Sequence, residues 1–377
     1  MDMRERALQA LLQRDPDEKA AAVTALHEAC LARSVELQPD ARLREPVDEH
    51  GRSALPGRPN HPRLVAPRDL PQRSPQTPLG HAALIHSVAH IEFNAINLAL
   101  DAVWRFAGLP ADFYADWLRV AREEALHFSL LQAHLRTLGH TYGDFDAHDG
   151  LWMMTARTAD DVLARMALVP RLLEARGLDA TPPMQARLAR AGDRRAVEIL
   201  ALILRDEVGH VEVGNRWYRH LCAQRGLDPL MHFRSLATQY GAPRLKPPFN
   251  LEARRRAGFP CRLWCRTPSR ATPYPRYTAT NLCRAVPIST WCGVATNCPN
   301  SRLHGLNGCG VPEDPWCVWS SGQGPGEKLE PAWEDCDVQI DVAAQIEPDW
   351  GPAWDGVAQP APKLSIVTKN MTASVEA

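Results

Sequence analysis

The chain has 377 residues, a formal net charge of −1 and a 45% hydrophobic composition. That length can hold two or three domains, and near-neutrality removes the electrostatic case for a nucleic-acid or anionic-membrane partner. No run of 18 apolar residues occurs, and the start Met1-Asp2-Met3-Arg4-Glu5-Arg6 lacks an apolar leader, so the expectation is a soluble cytoplasmic protein.

In chain order, residues 4–36 read as two helices, the second opened by Asp15-Pro16-Asp17, an Asp cap with proline in the first turn. Residues 39–79 hold nine prolines and almost no periodicity. Such a segment is neither helix nor central strand; it is a strap wrapped around the rest, or else a flexible linker. Helical periodicity then marks 80–107, 111–138, 158–177 and 193–224, with a further helix at 228–240 behind Asp228-Pro229. No segment alternates with period two, so the expected fold is all-α. The division is residues 1–38 as N-terminal helices, 39–79 as strap, 80–259 as a four-helix bundle with its trailing helix, and 260–377 as a tail.

The tail differs in kind. Eight of the ten cysteines and seven of the eleven tryptophans follow Phe259, with 14 prolines. A zinc appendage would use cysteines, but no Cys-x-x-Cys occurs there, and a disulfide framework fits a reducing cytosol poorly. The favoured reading is an out-of-frame or unselected extension. It carries no amphipathic period to offset ordering entropy, and is expected to be disordered.

Glu-x-x-His occurs twice in the helical region, as Glu124-Ala125-Leu126-His127 and Glu207-Val208-Gly209-His210. Residues three apart share a helix face, so each copy sets a carboxylate beside an imidazole. Both sit on apolar stripes: Phe113, Trp117, Val120, Glu124, His127, Leu131 on one helix, and Leu200, Ile203, Glu207, His210, Gly214, Trp217 on the other. Charged pairs aimed into a core need a strong partner. Glu92, in the row Val88, Glu92, Ile96, Ala99, and Glu174, in the row Leu163, Met166, Pro170, Glu174, take the same core spacing. Glu, Glu-x-x-His, Glu, Glu-x-x-His on four successive helices is the ligand set of di-iron or di-manganese carboxylate bundles. The expected metal ligands are therefore Glu92, Glu124, His127, Glu174, Glu207 and His210, holding two iron ions, with manganese as the alternative. In the first hairpin, Glu92 precedes Leu109 by nearly the same stretch of chain as separates Leu109 from Glu124, which sets the two at similar heights in an antiparallel pair. The second hairpin is less tidy, because Glu174 comes just before Gly177 while Glu207 lies well into its helix. Either Thr181–Arg190 forms an extra short helix or the third helix is short beyond its Glu.

The segments Pro56-Gly57-Arg58-Pro59, His86-Ser87-Val88-Ala89-His90-Ile91-Glu92, Arg122-Glu123-Glu124-Ala125-Leu126-His127-Phe128, Glu174-Ala175-Arg176-Gly177-Leu178-Asp179 and Arg205-Asp206-Glu207-Val208-Gly209-His210-Val211 together resemble the ferritin-like superfamily. More narrowly, they resemble the bacterial family known as domain of unknown function 455, over residues 1–259. The di-iron tRNA hydroxylase and rubrerythrin-type proteins are more distant likenesses. The resemblance implies a ferritin-like four-helix bundle, with Glu124 and Glu207 as metal bridges.

The expected activity is O2- or H2O2-dependent oxidation of a small molecule, served by an electron donor. A ferroxidase or iron-binding role and a purely structural metal staple are the alternatives, and a homodimer is admitted. Each ligating imidazole needs an outer acceptor, for which Asp101, Glu123 and Asp206 are candidates. His86 and His90 share a face and read as polar residues toward strap or solvent, or else as groups on the substrate side. Trp152, Met153 and Met154 are plain core or site mouth. Cys30 and Cys222 are buried small apolar residues.

Overall fold

The computed structural model describes residues 2–259, whose regular structure is helical. The tail, with its expected disorder and its cysteines, lies outside the described residues.

Two short helices, α1 (Met3–Leu12) and α2 (Pro16–Leu31), open the chain. Each begins on an aspartate whose carboxylate accepts backbone N–H groups, Asp2 from Arg4 and Asp15 from Asp17 and Glu18, satisfying donors that a helix start leaves open. The first bundle hairpin is α3 (Pro78–Arg105) and α4 (Ala111–Thr137). Arg4 is fully buried, and its guanidinium donates to the Val103 and Trp104 carbonyls at the end of α3 and to Pro39 of the strap. A cation there also complements the negative end of the helix dipole. The strap lies against the helices. Lys19, buried in α2, donates to the Gly57 carbonyl at 2.9 Å, Arg58 pairs with Asp149, and Arg63 with Asp146.

The second hairpin departs from the sequence expectation. The segment expected to be one helix over 158–177 is preceded by α5 (Gly150–Arg157) and is itself divided into α6 (Val162–Leu168), a π-helical turn at Val169–Glu174 and the start of α7 (Ala175–Arg190). Asp161 stops the chain and restarts it, its carboxylate accepting from Leu163 N at 2.9 Å. Pro170 lacks the N–H for a regular ladder, and a π turn absorbs such a defect. Helix α7 then runs through Gly177, Pro182 and Pro183, so neither an extra short helix nor an early stop occurs. Pro182 cannot bond the Leu178 carbonyl, and Asn250 Nδ2 donates to it instead at 3.1 Å. The turn falls at Gly192, φ +82°, where glycine takes a left-handed backbone cheaply.

Helix α8 (Arg194–Gln224) completes the bundle. Its Gly214 meets Pro170 of the π turn so closely that an added Cβ would lie 2.5 Å from the proline Cβ. The trailing helix is α9 (Pro229–Gln239), and α10 (Leu251–Arg256) follows, unforeseen from periodicity because it is so short. Phe259 is buried beside the Arg171 and Arg254 guanidinium groups, and Asn215 donates to the Ala257 carbonyl.

Candidate metal centre

Gly192 lies nearly midway between Glu174 and Glu207 along the chain, as Leu109 does between Glu92 and Glu124. With a constant rise per helical residue, all four carboxylates therefore reach similar heights. The structure brings the six expected residues into one buried region. Glu124, His127 and His210 are fully buried, and Glu92, Glu174 and Glu207 are exposed by 7% or less.

The ligand atoms form two triads sharing one carboxylate. Glu92, Glu124 and His127 make one, and Glu124, Glu207 and His210 the other, with ligand atoms in each within 4.8 Å of one another. His127 Nδ1 lies 3.1 Å from Glu92 and 3.3 Å from Glu124. His210 Nδ1 lies 2.7 Å from Glu124 Oε1 and 4.0 Å from Glu207. The closer of these two approaches is not directed as a hydrogen bond, since both atoms lack a hydrogen-bond partner. Both oxygens of Glu174 and Oε2 of Glu207 are also buried without one. Buried polar atoms are normally satisfied. An unsatisfied set of carboxylate oxygens and an imidazole nitrogen facing one another is the donor set of a hard or borderline divalent cation.

The outer nitrogens are braced crosswise. His127 Nε2 lies 3.1 Å from Asp206 on α8, and His210 Nε2 lies 2.7 Å from Glu123 on α4. Each Glu-x-x-His helix thus supports the other helix's histidine through the acidic residue just before its own ligand. An Nε2–H donated outward leaves Nδ1 as the lone pair facing the cluster. Asp101 is no part of this: it is held by Trp104 Nε1, Arg105 and Arg165. The doublets Glu123-Glu124 and Asp206-Glu207 carry the signal for the two braces, but sequence could not separate them from Asp101.

The electrostatics state what the site needs. Burial, then the Glu124 charge, pushes Glu92 and Glu174 up to about 8, and the same causes push Glu207 well above the usual range. Burial would raise Glu124 too, but His210 and His127 outweigh it and hold it low. Burial opposes charge on His127, yet Asp206, Glu124 and Glu92 together push it up to about 12. Three of the four buried carboxylates, Glu92, Glu174 and Glu207, therefore retain protons unless other cations neutralise them, and two divalent ions would do so.

A cavity of about 350 Å3 opens onto Glu92, Glu174 and Glu207. Its walls include Leu84, Val88, Ile91, Leu173 and Ile203, with strap residues Leu70, Gln72 and Arg73 over it. His90 lines it as well, and the solvent-facing reading of His86 and His90 fails, because both are buried. They hold the loop after α4: His86 Nε2 accepts from Gly143 N at 2.9 Å, and His90 Nδ1 lies 2.8 Å from the Tyr142 hydroxyl. Leu151, rather than Trp152 or Met154, reaches the cavity; those two are buried core. Cys222 is buried and Cys30 half-buried, and burial raises both thiols.

With a helical bundle among its described residues and buried acidic and imidazole groups shared between two hairpins, the chain matches the family model described as "Protein of unknown function (DUF455)" over residues 12–264. It belongs to that family. A Haemophilus influenzae protein named "Uncharacterized protein" is 49% identical over 257 residues, covering 66% of this chain and 88% of the relative. No solved structure matches the chain. No helix among the described residues is long and apolar enough to cross a membrane.

Proposed function

We propose that the chain is a ferritin-like dinuclear carboxylate protein that oxidises a small apolar molecule with O2 or H2O2, using two iron ions held by Glu92, Glu124, His127, Glu174, Glu207 and His210. The observation that carries this reading is the cavity whose floor is the unsatisfied Glu174 and Glu207 carboxylates and whose walls are apolar. Glu124, common to both triads, would bridge the ions, with Glu207 as the second bridge. Bound iron would supply the electrons that reduce the oxidant.

The chain's own residues do the rest. Asp206 and Glu123 orient His127 and His210 and hold their outer ring protons. The apolar walls exclude water and favour an apolar guest. A cavity of that size beside the ligands favours an organic substrate over iron storage, which needs only access for ions. The electron donor would act from outside the described residues.

The test is to load the full chain anaerobically with two equivalents of Fe(II) and mix it rapidly with O2 or H2O2, following absorbance. Rapid oxidation at two irons per chain, lost in Glu124→Ala, is the expected result. Oxidation no faster than in Glu124→Ala sinks the oxidase reading. Uptake of many ferric ions per chain would instead establish the ferroxidase alternative.

A further inference from the structure

A second group of metal-type ligands lies away from the central cluster. His81 near the start of α3, His134 in the last turn of α4 and Asp193 just before α8 converge where three chain segments meet. His81 Nε2 lies 2.6 Å and His134 Nε2 2.7 Å from the same oxygen, Asp193 Oδ2. The three ligand atoms are mutually within 4.8 Å. His134 follows His127 by two helical turns along α4, roughly 10 Å of helix, so this is not part of the central set.

The geometry of this group is that of a ligand set. One carboxylate oxygen, Asp193 Oδ2, receives two imidazoles from two different helices at once. Without a cation, each ring donates an Nε2–H to that oxygen; with one, the same three atoms turn their lone pairs onto the ion. His134 is held in place for either state by its own helix turn, where the Thr137 hydroxyl donates to the His134 carbonyl at 2.6 Å.

We propose that His81, His134 and Asp193 bind one divalent first-row cation, zinc by ligand type, tying together the ends of α3, α4 and α8. Two imidazoles and one carboxylate are a common three-ligand zinc set. Side-chain exposures of 13% for His81, 7% for His134 and 10% for Asp193 leave an edge where water completes the coordination. Zinc bonds of about 2.05 Å at tetrahedral angles set ligand atoms about 3.3 Å apart. The rings therefore back away slightly from their present separations, within the reach of small side-chain rotations. Asp193 Oδ1 meanwhile stays on Ala196 N at 2.9 Å as the cap of α8.

The test uses the full chain, stripped with a chelator, dialysed against Zn2+ and assayed for zinc by mass spectrometry. The comparison is wild type against the His81→Gln/His134→Gln double variant and against Asp193→Asn, which keeps a capping side chain for α8. Both variants should carry one zinc fewer per chain than wild type, and both should lose part of the zinc-induced rise in Tm. Equal zinc content in all three overturns the proposal and leaves His81 and His134 as hydrogen-bond partners of Asp193. The difference of one is read whether or not the central cluster takes zinc, so failure here and failure of the dinuclear reading give different totals.

Discussion

The two bundle hairpins deliver the same residue types, a glutamate and a Glu-x-x-His pair, on differently built helices. In the first, α3 and α4 are unbroken and meet at a turn near Gly108, and Glu92 and Glu124 reach equal height by regular geometry alone. In the second, the helix bearing Glu174 carries a π turn, an internal Pro-Pro pair and a glycine, yet Glu174 lines the same cavity as Glu92 and Glu207. Regularity is therefore not what positions a carboxylate. Distance from the turn does so, and local defects are tolerated where neighbours satisfy the freed backbone, as Asn250 does for Leu178.

The largest expected effect tests whether the hairpins share one centre. Glu124 takes part in both triads, so Glu124→Ala should reduce iron from up to two ions per chain to almost none, whereas His127→Ala should lose mainly one. Elemental analysis of purified protein reads this, and full metal content in the Glu124 variant breaks the shared-centre comparison.

Next comes the irregular hairpin's own packing. Gly214→Ala places a methyl 2.5 Å from Pro170 Cβ, and overpacking at such a contact costs about 1–3 kcal/mol. Thermal unfolding should show a drop in Tm of several degrees. An unchanged Tm would mean the π turn yields freely.

The crosswise braces predict symmetry between the hairpins. Glu123→Gln on α4 and Asp206→Asn on α8 each remove a charged acceptor from the opposite histidine. Each should weaken metal affinity about 10–100-fold. A competition titration with a chromophoric chelator measures it, and an effect from one variant alone would show that the two sides are not equivalent.

The smallest effect concerns pH and the loop packed on α3. Burial depresses His86 and His148 to about 4, with Asp144 partly offsetting the effect at His86 and His140 adding to it. Their unfolded values lie near 6.5. The unfolded chain therefore binds protons that the folded chain refuses between about pH 6.5 and 4. Stability is complete above that window and falls as pH falls through it. In denaturant titrations at pH 7 and pH 5, His86→Gln should show a smaller acid loss than wild type, and equal losses would exclude His86 as a contributor.

The gathering of the six candidate residues was legible in the sequence because they break an otherwise apolar period. Glu92, Glu124, His127, Glu174, Glu207 and His210 stand where leucine or valine would be expected, and local spacing alone puts them on inward faces. The fold class was legible for the same reason: helical periodicity is a local property. The starts of α2 at Pro16 and of α9 at Pro229 were readable from Asp15 and Asp228, whose caps act within one turn, whereas α3 begins at Pro78, two residues into the segment read as strap.

Tertiary structure alone decided the remainder. Gly177, Pro182 and Pro183 read locally as a helix end. The helix continues because Asn250, far along the chain, donates to a carbonyl the prolines leave open. Gly214 looked like one more stripe position, but its role comes from Pro170 on another helix. Asp101, Glu123 and Asp206 were equivalent as candidate braces until packing gave Asp101 to two arginines and the others to the histidines. His86 and His90 were open between strap or solvent and the substrate side until the loop after α4 folded over them and His90 met the cavity. Local sequence determines which face a side chain takes, since helix geometry repeats every few residues. What meets that face is set by contacts between segments far apart in the chain, and no local period encodes them.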